Sequence, residues 1–153
     1  MAKLSNQENV YFTDEYVVTY ADFSAVTTDN ATKTFTYAVP AGSLVTAASA
    51  HLRTAFDDSG AGDELDVIVG VTGGDVDGLL ASAAVHVDQT EITYVANTGA
   101  LIDNENGTIF TTAGSIAITF TPNASTGTDY ALSELTAGEI VFRFAIIDLD
   151  PNA

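Results

Sequence analysis

Apolar and β-branched residues recur at every second position of this chain, and patterns typical of helices are nearly missing. In Lys33–Val39, the side chains of Phe35, Tyr37 and Val39 alternate with threonine and alanine, and Ser115–Thr121 repeats the pattern. Because successive side chains of a strand point to opposite faces, a period of two predicts strands with one buried face. Such alternation favours antiparallel pairing, since parallel sheets carry continuous apolar runs.

Further strands are predicted along the chain, separated by glycine, proline, asparagine and aspartate. The segments are Asn9–Tyr20, with Tyr16, Val18 and Tyr20 on one face, 43–56 as one bent strand or two, Glu64–Val71, Ala84–Val87, Ile92–Ala96, Thr108–Thr111 and Gly138–Leu149. The segment 125–138 is read either as a helical turn or as a loop. Strands spaced ~8–12 residues apart indicate a sandwich or barrel. We expect an all-β fold, an antiparallel β-sandwich that is jelly-roll-like.

Length and composition predict one domain with a short extension. A chain of 153 residues suits a single domain, and it shows neither repeats nor a linker. Residues 9–153 are assigned to the sandwich, and the polar, unpatterned residues 1–8 to a flexible N-terminal arm. The chain has no cysteine, which excludes thiol catalysis, zinc–thiolate sites and disulfides. No signal-peptide core and no apolar run near ~18 residues is found, so we expect synthesis in the cytoplasm.

Charge excludes two classes of partner. Twenty-one carboxylates stand against four basic residues, which gives a formal net charge of −17. Nucleic-acid binding requires clustered lysine and arginine to neutralise phosphates. The four basic residues are scattered, and the negative field also opposes anionic membrane surfaces. We therefore expect neither nucleic acid nor membrane as a partner. The basic residues are Lys3, Lys33, Arg53 and Arg143.

Seven carboxylates fall between Phe56 and Ser82, which raises the question of a metal site. Calcium needs about six to eight oxygen ligands, and the spacing of an EF-hand loop is absent here. The predicted strand between the two acidic turns would span ~23 Å, which puts the turns at opposite ends. We interpret the carboxylates as turn residues and expect no metal and no cofactor. A structural calcium ion with Asp75 and Asp77 as ligands is the alternative.

No catalytic constellation emerges from the sequence, so we expect a protein that is not an enzyme. The only histidines are His51 and His86, both on predicted strands, where surface or edge positions are expected. No nucleophile elbow and no phosphate-binding loop is present. With so many carboxylates, a glycosidase-like pair would arise by chance. A hydrolase using the acidic turns is the enzymatic alternative, and Asp75→Asn or Asp77→Asn would then abolish its activity.

Three residues are candidates for an interface. Arg143 lies within the apolar strand VFRFAII, although the chain has few basic residues. Its side chain either faces outward and pairs with a neighbouring carboxylate, or forms a salt bridge across a subunit interface, where a guanidinium is well suited. The other candidates are Val10 and Phe12 near the start of the first predicted strand.

Three stretches, taken in order, resemble a group of small structural proteins of tailed bacteriophages. They are TKTFTYAVPAGSLVTAASAHLRTAF, ELDVIVGVTGGDVDGLLAS and TAGEIVFRFAIIDL, at 32–56, 64–82 and 136–149. The shared pattern is a PAGS turn leading to a strand that ends in AF, then an Asp/Gly turn, and a TAGE turn before the closing strand. Such proteins decorate or cement the icosahedral head, often as trimers, and have jelly-roll or immunoglobulin-like sandwiches.

The resemblance implies a virion protein on the outer surface of the head, bound to the major capsid protein as a homo-oligomer, with a trimer expected. No functional residues carry over, because the group has none defined by motif. The arm 1–8 would dock by adding a strand to an exposed sheet edge. The alternative is a carbohydrate- or receptor-binding module of a phage tail or head fibre. That alternative predicts exposed aromatic rings, with Tyr94, Phe110 and Tyr130 as candidates.

Overall fold

A computed structural model describes residues 12–58, 65–85, 107–122 and 129–149, and the backbone of Tyr94–Ala96. The predicted arm 1–8 lies outside these residues. Two 3-10 turns, Tyr20–Phe23 and Leu132–Glu134, interrupt the strands. None of the helical segments in the described ranges is long and apolar enough to cross a membrane. The strands are β1 Asp14–Thr19, β2 Lys33–Val39, β3 Ser43–Asp57, β4 Leu65–Val71, β5 Leu80–Ala84, β6 Tyr94–Ala96, β7 Thr108–Phe110, β8 Gly114–Pro122 and β9 Ala137–Asp148.

The strands form two antiparallel sheets. Sheet I has the order β1-β9-β3-β6, and β7 also pairs with β3; sheet II has the order β2-β8-β4-β5. Every strand pair is antiparallel. Strand β9, from the end of the chain, lies between β1 and β3. The predicted all-β antiparallel sandwich is confirmed.

The inner faces of both sheets meet in an aromatic core. Phe120 of sheet II is fully buried and packs on Phe23, Phe35, Phe56 and Phe142, at centroid distances of 5.1, 5.9, 5.8 and 6.2 Å. Interplanar angles of 65–88° give edge-to-face contacts, the favoured arrangement of aromatic pairs. Since these rings come from both sheets and from the first 3-10 turn, the core joins the two layers.

Most strand predictions are confirmed, and one is displaced. β2 has the predicted bounds, β4 and β8 match within one residue at each end, and 43–57 is one strand with register shifts opposite β9. The strand expected at Ala84–Val87 is instead Leu80–Ala84. It begins this early because the Leu79 N–H donates to the Val69 carbonyl at 3.0 Å, directly after the turn. The alanine-rich segment gave no apolar face by which to locate the strand.

Tyr20 was expected to share a strand face with Tyr16 and Val18, but the strand ends at Thr19 and Tyr20 begins a 3-10 turn. The Thr19 N–H and hydroxyl donate to Asp22 Oδ2 at 2.8 and 2.9 Å, which turns the chain into the 3-10 segment. Tyr20 is consequently 44% exposed, and Phe23 occupies the interior instead. Of the segment 125–138, the described residues 129–138 contain one 3-10 turn, Leu132–Glu134, and the first two residues of β9.

Candidate functional site

The acidic turn after β4 is held by its backbone. The Val71 N–H donates to the Asp75 carbonyl at 2.8 Å, and the Gly74 N–H to the Val71 carbonyl at 3.0 Å. The turn folds back over β4 so closely that a Cβ at Gly70 would overlap the backbone of Asp75 and Val76. Asp75 and Asp77 are both exposed. Main-chain hydrogen bonds at Val71 and Asp75 therefore shape the turn.

Among the described acidic residues, Asp57 and Asp75 lie at opposite ends of β4. The Phe56 N–H donates to the Val85 carbonyl and the Val85 N–H to the Leu65 carbonyl, both at 2.9 Å, which places Asp57 near the start of β4. Asp75 lies beyond its end. Within the described ranges, no group of three or more histidine, aspartate or glutamate side chains could hold a metal ion.

Arg143 pairs within its own chain. Its Nε donates to Glu15 Oε2 at 3.0 Å, and the two residues stand directly opposite each other on β9 and β1. This is the first of the two predicted arrangements, an outward-facing side chain paired with a neighbouring carboxylate. Arg53 makes a similar contact with Glu139 at 2.6 Å. Both ion pairs lie on the outer face of sheet I.

The other sequence candidates divide between exposed, buried and undescribed positions. Phe12 is 39% exposed, which suits an interface, whereas Val10 lies outside the described residues. Tyr130 and Phe110 are 2% and 6% exposed, so the prediction that these rings are available to a carbohydrate is wrong. Each ring belongs to the hydrophobic core. The side chain of Tyr94 lies outside the described part of the structure.

The two histidines do not form a site in the described structure. His51 is half-buried on β3, opposite Val141 of β9 and Tyr94 of β6. Since its neighbours Ala50 and Leu52 point into the core, the His51 side chain lies on the outer face of sheet I, as expected. His86 lies outside the described residues.

The outer faces of the two sheets differ in a way that the sequence analysis missed. On sheet I, Val17, Ile109 and Ile147 are 42%, 59% and 48% exposed and alternate with core residues. We call these three residues the outer apolar set. On sheet II, the outer positions of β2 and β8 carry hydroxyls and alanine, and those of β4 carry Asp66, Ile68 and Gly70. Those of β2 and β8 are Thr34, Thr36, Ala38, Ser115, Ala117, Thr119 and Thr121.

A cleft of about 550 Å³ opens between the sheets, where β1 begins and β9 ends. It was also missed, because its walls come from separate parts of the chain. Its central acidic group is the Asp14 carboxylate, which accepts hydrogen bonds from the Tyr37 hydroxyl and from Thr13 Oγ1. We call it the sandwich-end cleft. It is lined by Thr13, Asp14, Tyr37, Ala38, Pro40, Ala41, Ser43, Ile146 and Asp148.

The contact between Asp14 and Tyr37 alters the acidity of the phenol. The hydrogen bond to Asp14, with burial and the negative charge of that carboxylate, raises the pKa of Tyr37 to about 12. Each of these influences disfavours a phenolate beside a carboxylate. Tyr37 therefore stays protonated at neutral pH and acts as a hydrogen-bond donor that orients Asp14.

Comparison of the chain with protein-family models, with curated proteins and with solved structures finds no match. Functional assignment therefore depends on the described surfaces and on the resemblance of the three sequence stretches.

Proposed function

We propose that this protein is a virion structural protein that decorates and stabilises the icosahedral head of a tailed phage. It binds the outer surface of the major capsid protein, acts as a homo-oligomer, with a trimer expected, and has no enzymatic role. The proposal starts from the resemblance of residues 32–56, 64–82 and 136–149 to phage structural proteins. Those stretches supply β2 with β3, β4 with β5, and β9, and so contribute strands to both sheets.

The observation that carries the proposal is the uneven distribution of exposed apolar side chains. Apart from Val76, the exposed large apolar residues of the described structure all lie on sheet I strands or directly beside them. Scattered single residues of this kind are normal, but a one-sided distribution in so acidic a chain supports a docking surface. These residues are Phe12, Val17, Tyr20, Ile109, Ile147 and Leu149.

The strand order supports the finer fold assignment, which belongs to the same proposal. Omitting the short β7, eight strands divide into the orders 1-9-3-6 and 2-8-4-5, and successive strands mostly change sheet. A jelly roll is an eight-stranded double sheet of two Greek keys, an architecture that viral capsid domains use. We propose the jelly roll as the topology of this sandwich.

The test is co-sedimentation with mature phage heads that have been stripped of their surface proteins. Saturable binding at one oligomer per three-fold position, or per hexamer, is the expected result. Sedimentation equilibrium of the free protein gives the oligomer number, since closed rotational symmetry is usual for homo-oligomers. An absence of binding to heads at micromolar concentration would defeat the proposal.

The arm 1–8 is proposed to contribute by adding a strand to an exposed sheet edge of the capsid. Strand addition derives its affinity from main-chain hydrogen bonds, so it tolerates an arm without an apolar pattern. Deletion of residues 1–8 is expected to weaken binding to heads and to leave the unfolding midpoint unchanged. Undiminished binding by the shortened protein would remove the arm from the proposal.

A further inference from the structure

Strand β2 forms an open edge of sheet II. It ends the strand order of that sheet, and among the described residues its only strand partner is β8. The pairing with β8 runs from Lys33 to Val39 without a register shift, so β2 is a regular strand of seven residues. The outward-pointing N–H and C=O groups of such an edge are a template for pairing with a further strand.

The other strands at the ends of the two described sheets are less suited to pairing. Edge strand β1 carries Asp14 and Glu15 within its six residues. β5 has five residues and a register shift opposite β4, and β6 has three residues. Charges, bulges and short length are the features by which proteins protect sheet edges. Of these four strands, β2 alone is long, regular and free of carboxylates, and its one charge, Lys33, stands at its first position.

Acidic residues are missing from β2 and from its neighbour in the sheet. The chain has 21 carboxylates, but none lies between Ala31 and Phe56, and none lies in β8. The exposed outer positions of β2 are Thr34, Thr36 and Ala38. Two copies with a formal net charge of −17 repel each other, so self-association needs a surface on which carboxylates do not meet. The β2 edge meets that condition.

The sequence of β2, KTFTYAV, is self-complementary in the antiparallel orientation. With Thr36 on a two-fold axis, Phe35 of each copy lies opposite Tyr37 of the other, and the two lysines fall at opposite ends. Aromatic pairs and threonine pairs are favoured cross-strand neighbours. Phe35 and Tyr37 are half-buried and each packs on Tyr16 at a centroid distance of 6.3 Å, so part of each ring remains to be covered.

We propose that β2 pairs antiparallel with β2 of a second copy about a two-fold axis through Thr36. The pairing joins two four-stranded sheets into one of eight strands, and the outer face of sheet II stays solvated because only its edge is covered. Strand addition supplies main-chain hydrogen bonds, and the two-fold axis closes the assembly. The inference goes beyond the proposed function and does not depend on it. Single chains would form a dimer, and the trimer expected there would form a hexamer.

Sedimentation equilibrium of the full chain tests the pairing. Wild type is expected to form an even-numbered oligomer with a dissociation constant on the order of 10 μM, as for a small interface. Thr36→Glu places two carboxylates opposite each other at the axis and is expected to halve the mass. Val76→Glu adds the same charge at an exposed position of the turn after β4, and is expected to keep the wild-type mass.

An odd-numbered wild type, whether monomer or trimer, at roughly 100 μM would overturn the proposal and leave the β2 edge to a strand of another protein. An even-numbered oligomer that Thr36→Glu leaves intact would overturn it as well. Far-UV circular dichroism confirms that each variant is folded.

Exchanging the charges tests the position of the axis. Thr36→Lys alone is expected to be unpaired, as Thr36→Glu is, because like charges again meet. An equimolar mixture of the two variants is expected to regain the wild-type mass, since opposite charges then face each other across the axis. A mixture that stays unpaired would overturn the register.

A single thiol measures the register directly, because the chain has no cysteine. In Thr36→Cys, the paired Cα atoms would lie about 4.5–5.5 Å apart, which is within the range of a disulfide. A covalent dimer is therefore expected with oxidised glutathione as the oxidant. In the control Thr34→Cys, on the same strand and face, the equivalent atoms would lie ~14 Å apart and should not be linked. Equal linking of the two variants would overturn the proposal.

Head binding separates this inference from the proposed function. Docking is proposed for sheet I, so Thr36→Glu is expected to lose the pairing and still bind heads. If wild type pairs through β2 but binds no heads, the proposed function fails and the pairing stands. If wild type binds heads but is not linked through Thr36→Cys, the pairing fails and the proposed function stands.

Discussion

The outer faces of the two sheets have nearly opposite surface chemistry, although their inner faces share one core. On sheet II, β2 and β8 turn rows of hydroxyls outward, in which Thr34 and Thr119 share a hydrogen bond at 2.9 Å and Ser115 donates to Thr72 at 2.8 Å. Sheet I turns outward the outer apolar set and two ion pairs. Hydroxyls form hydrogen bonds with water. Covering an exposed valine or isoleucine side chain is favourable, because it removes apolar surface from water. The difference separates a face that stays solvated from one suited to a partner.

The largest loss of stability is expected from a change in the shared core, because its aromatic rings hold the two sheets together. Phe120→Ala removes the ring that contacts aromatic residues from both layers, and a loss of about 3–5 kcal/mol in the free energy of unfolding is expected. Thr119 is the outward-facing neighbour of Phe120 on β8, and Thr119→Ala should lower the free energy of unfolding by about 0.5 kcal/mol. Urea denaturation measures both. Comparable losses in the two variants would contradict the shared-core description.

The hydrogen bond from the Tyr37 hydroxyl to Asp14 joins edge strand β1 of sheet I to β2 of sheet II, and alkaline pH should weaken it. The pKa of Tyr37 is raised to about 12 in the folded protein. Its contribution to stability is therefore fully present below pH 10 and is lost as pH rises through about 12. The free energy of unfolding is expected to fall by up to about 2 kcal/mol across this range, allowing for solvent screening.

The Tyr37→Phe variant is the control for this pH dependence. The difference between wild type and Tyr37→Phe in urea denaturation isolates the phenol from other groups that titrate at high pH. Stability curves that remain parallel from pH 9 to pH 12 would show that the phenol is not perturbed by Asp14.

Introducing one charge into each outer face sharpens the comparison directly. Val17→Glu in the outer apolar set is expected to weaken head binding roughly tenfold or more, since it places a carboxylate in the face that we propose to contact the head. Thr36→Glu on sheet II is expected to bind as wild type does. Both positions are exposed on edge strands, so the stability costs should be similar. Co-sedimentation with heads measures binding, and a stronger effect of Thr36→Glu would reverse the assignment of the two faces.

The ion pair between Arg143 and Glu15 tests whether sheet I depends on its charges for stability. A double-mutant cycle with Arg143→Met and Glu15→Gln is expected to give a coupling energy of about 0.2–1 kcal/mol, as for other exposed pairs. Unfolding in urea provides the four free energies. A coupling above about 2 kcal/mol would mean that the pair is a structural element of the face.

The smallest effect is expected at the acidic turn, which lies against the outer face of sheet II. Addition of a chelator is expected to leave the midpoint of thermal unfolding unchanged, because main-chain hydrogen bonds at Val71 and Asp75 shape the turn. A midpoint that falls on chelation and recovers with calcium would instead establish the alternative with Asp75 and Asp77 as ligands.

The strand prediction succeeded where alternation was strong. β2 and β8 each carry large apolar residues at every second position, so the period identified both the strands and their inner faces. It failed at β5, where small residues gave no contrast between faces, and at Tyr20, where the Asp22 carboxylate redirected the chain. Propensity and alternation are local, and both failures came from single hydrogen-bonded turns.

The sandwich-end cleft could not have been predicted from alternation. Asp14, Tyr37 and Ser43 belong to three different strands, and Ile146 belongs to a fourth. Only the pairing of strands brings them together, and pairing depends on contacts far apart in sequence. For Arg143 the sequence left two arrangements open, an outward-facing pair within the chain or a salt bridge across a subunit interface, because the pairing of β1 with β9 that places Glu15 opposite it could not be derived from alternation.

The position of β9 between β1 and β3 determines the order in which the protein can be completed. During synthesis, β1 and β3 emerge long before the strand that joins them, so sheet I cannot close until β9 has left the ribosome. Folds that depend on such distant pairings form slowly, and their apolar strands stay exposed until the pairing is complete. The net charge of −17 provides mutual repulsion that keeps neighbouring nascent chains apart during that interval.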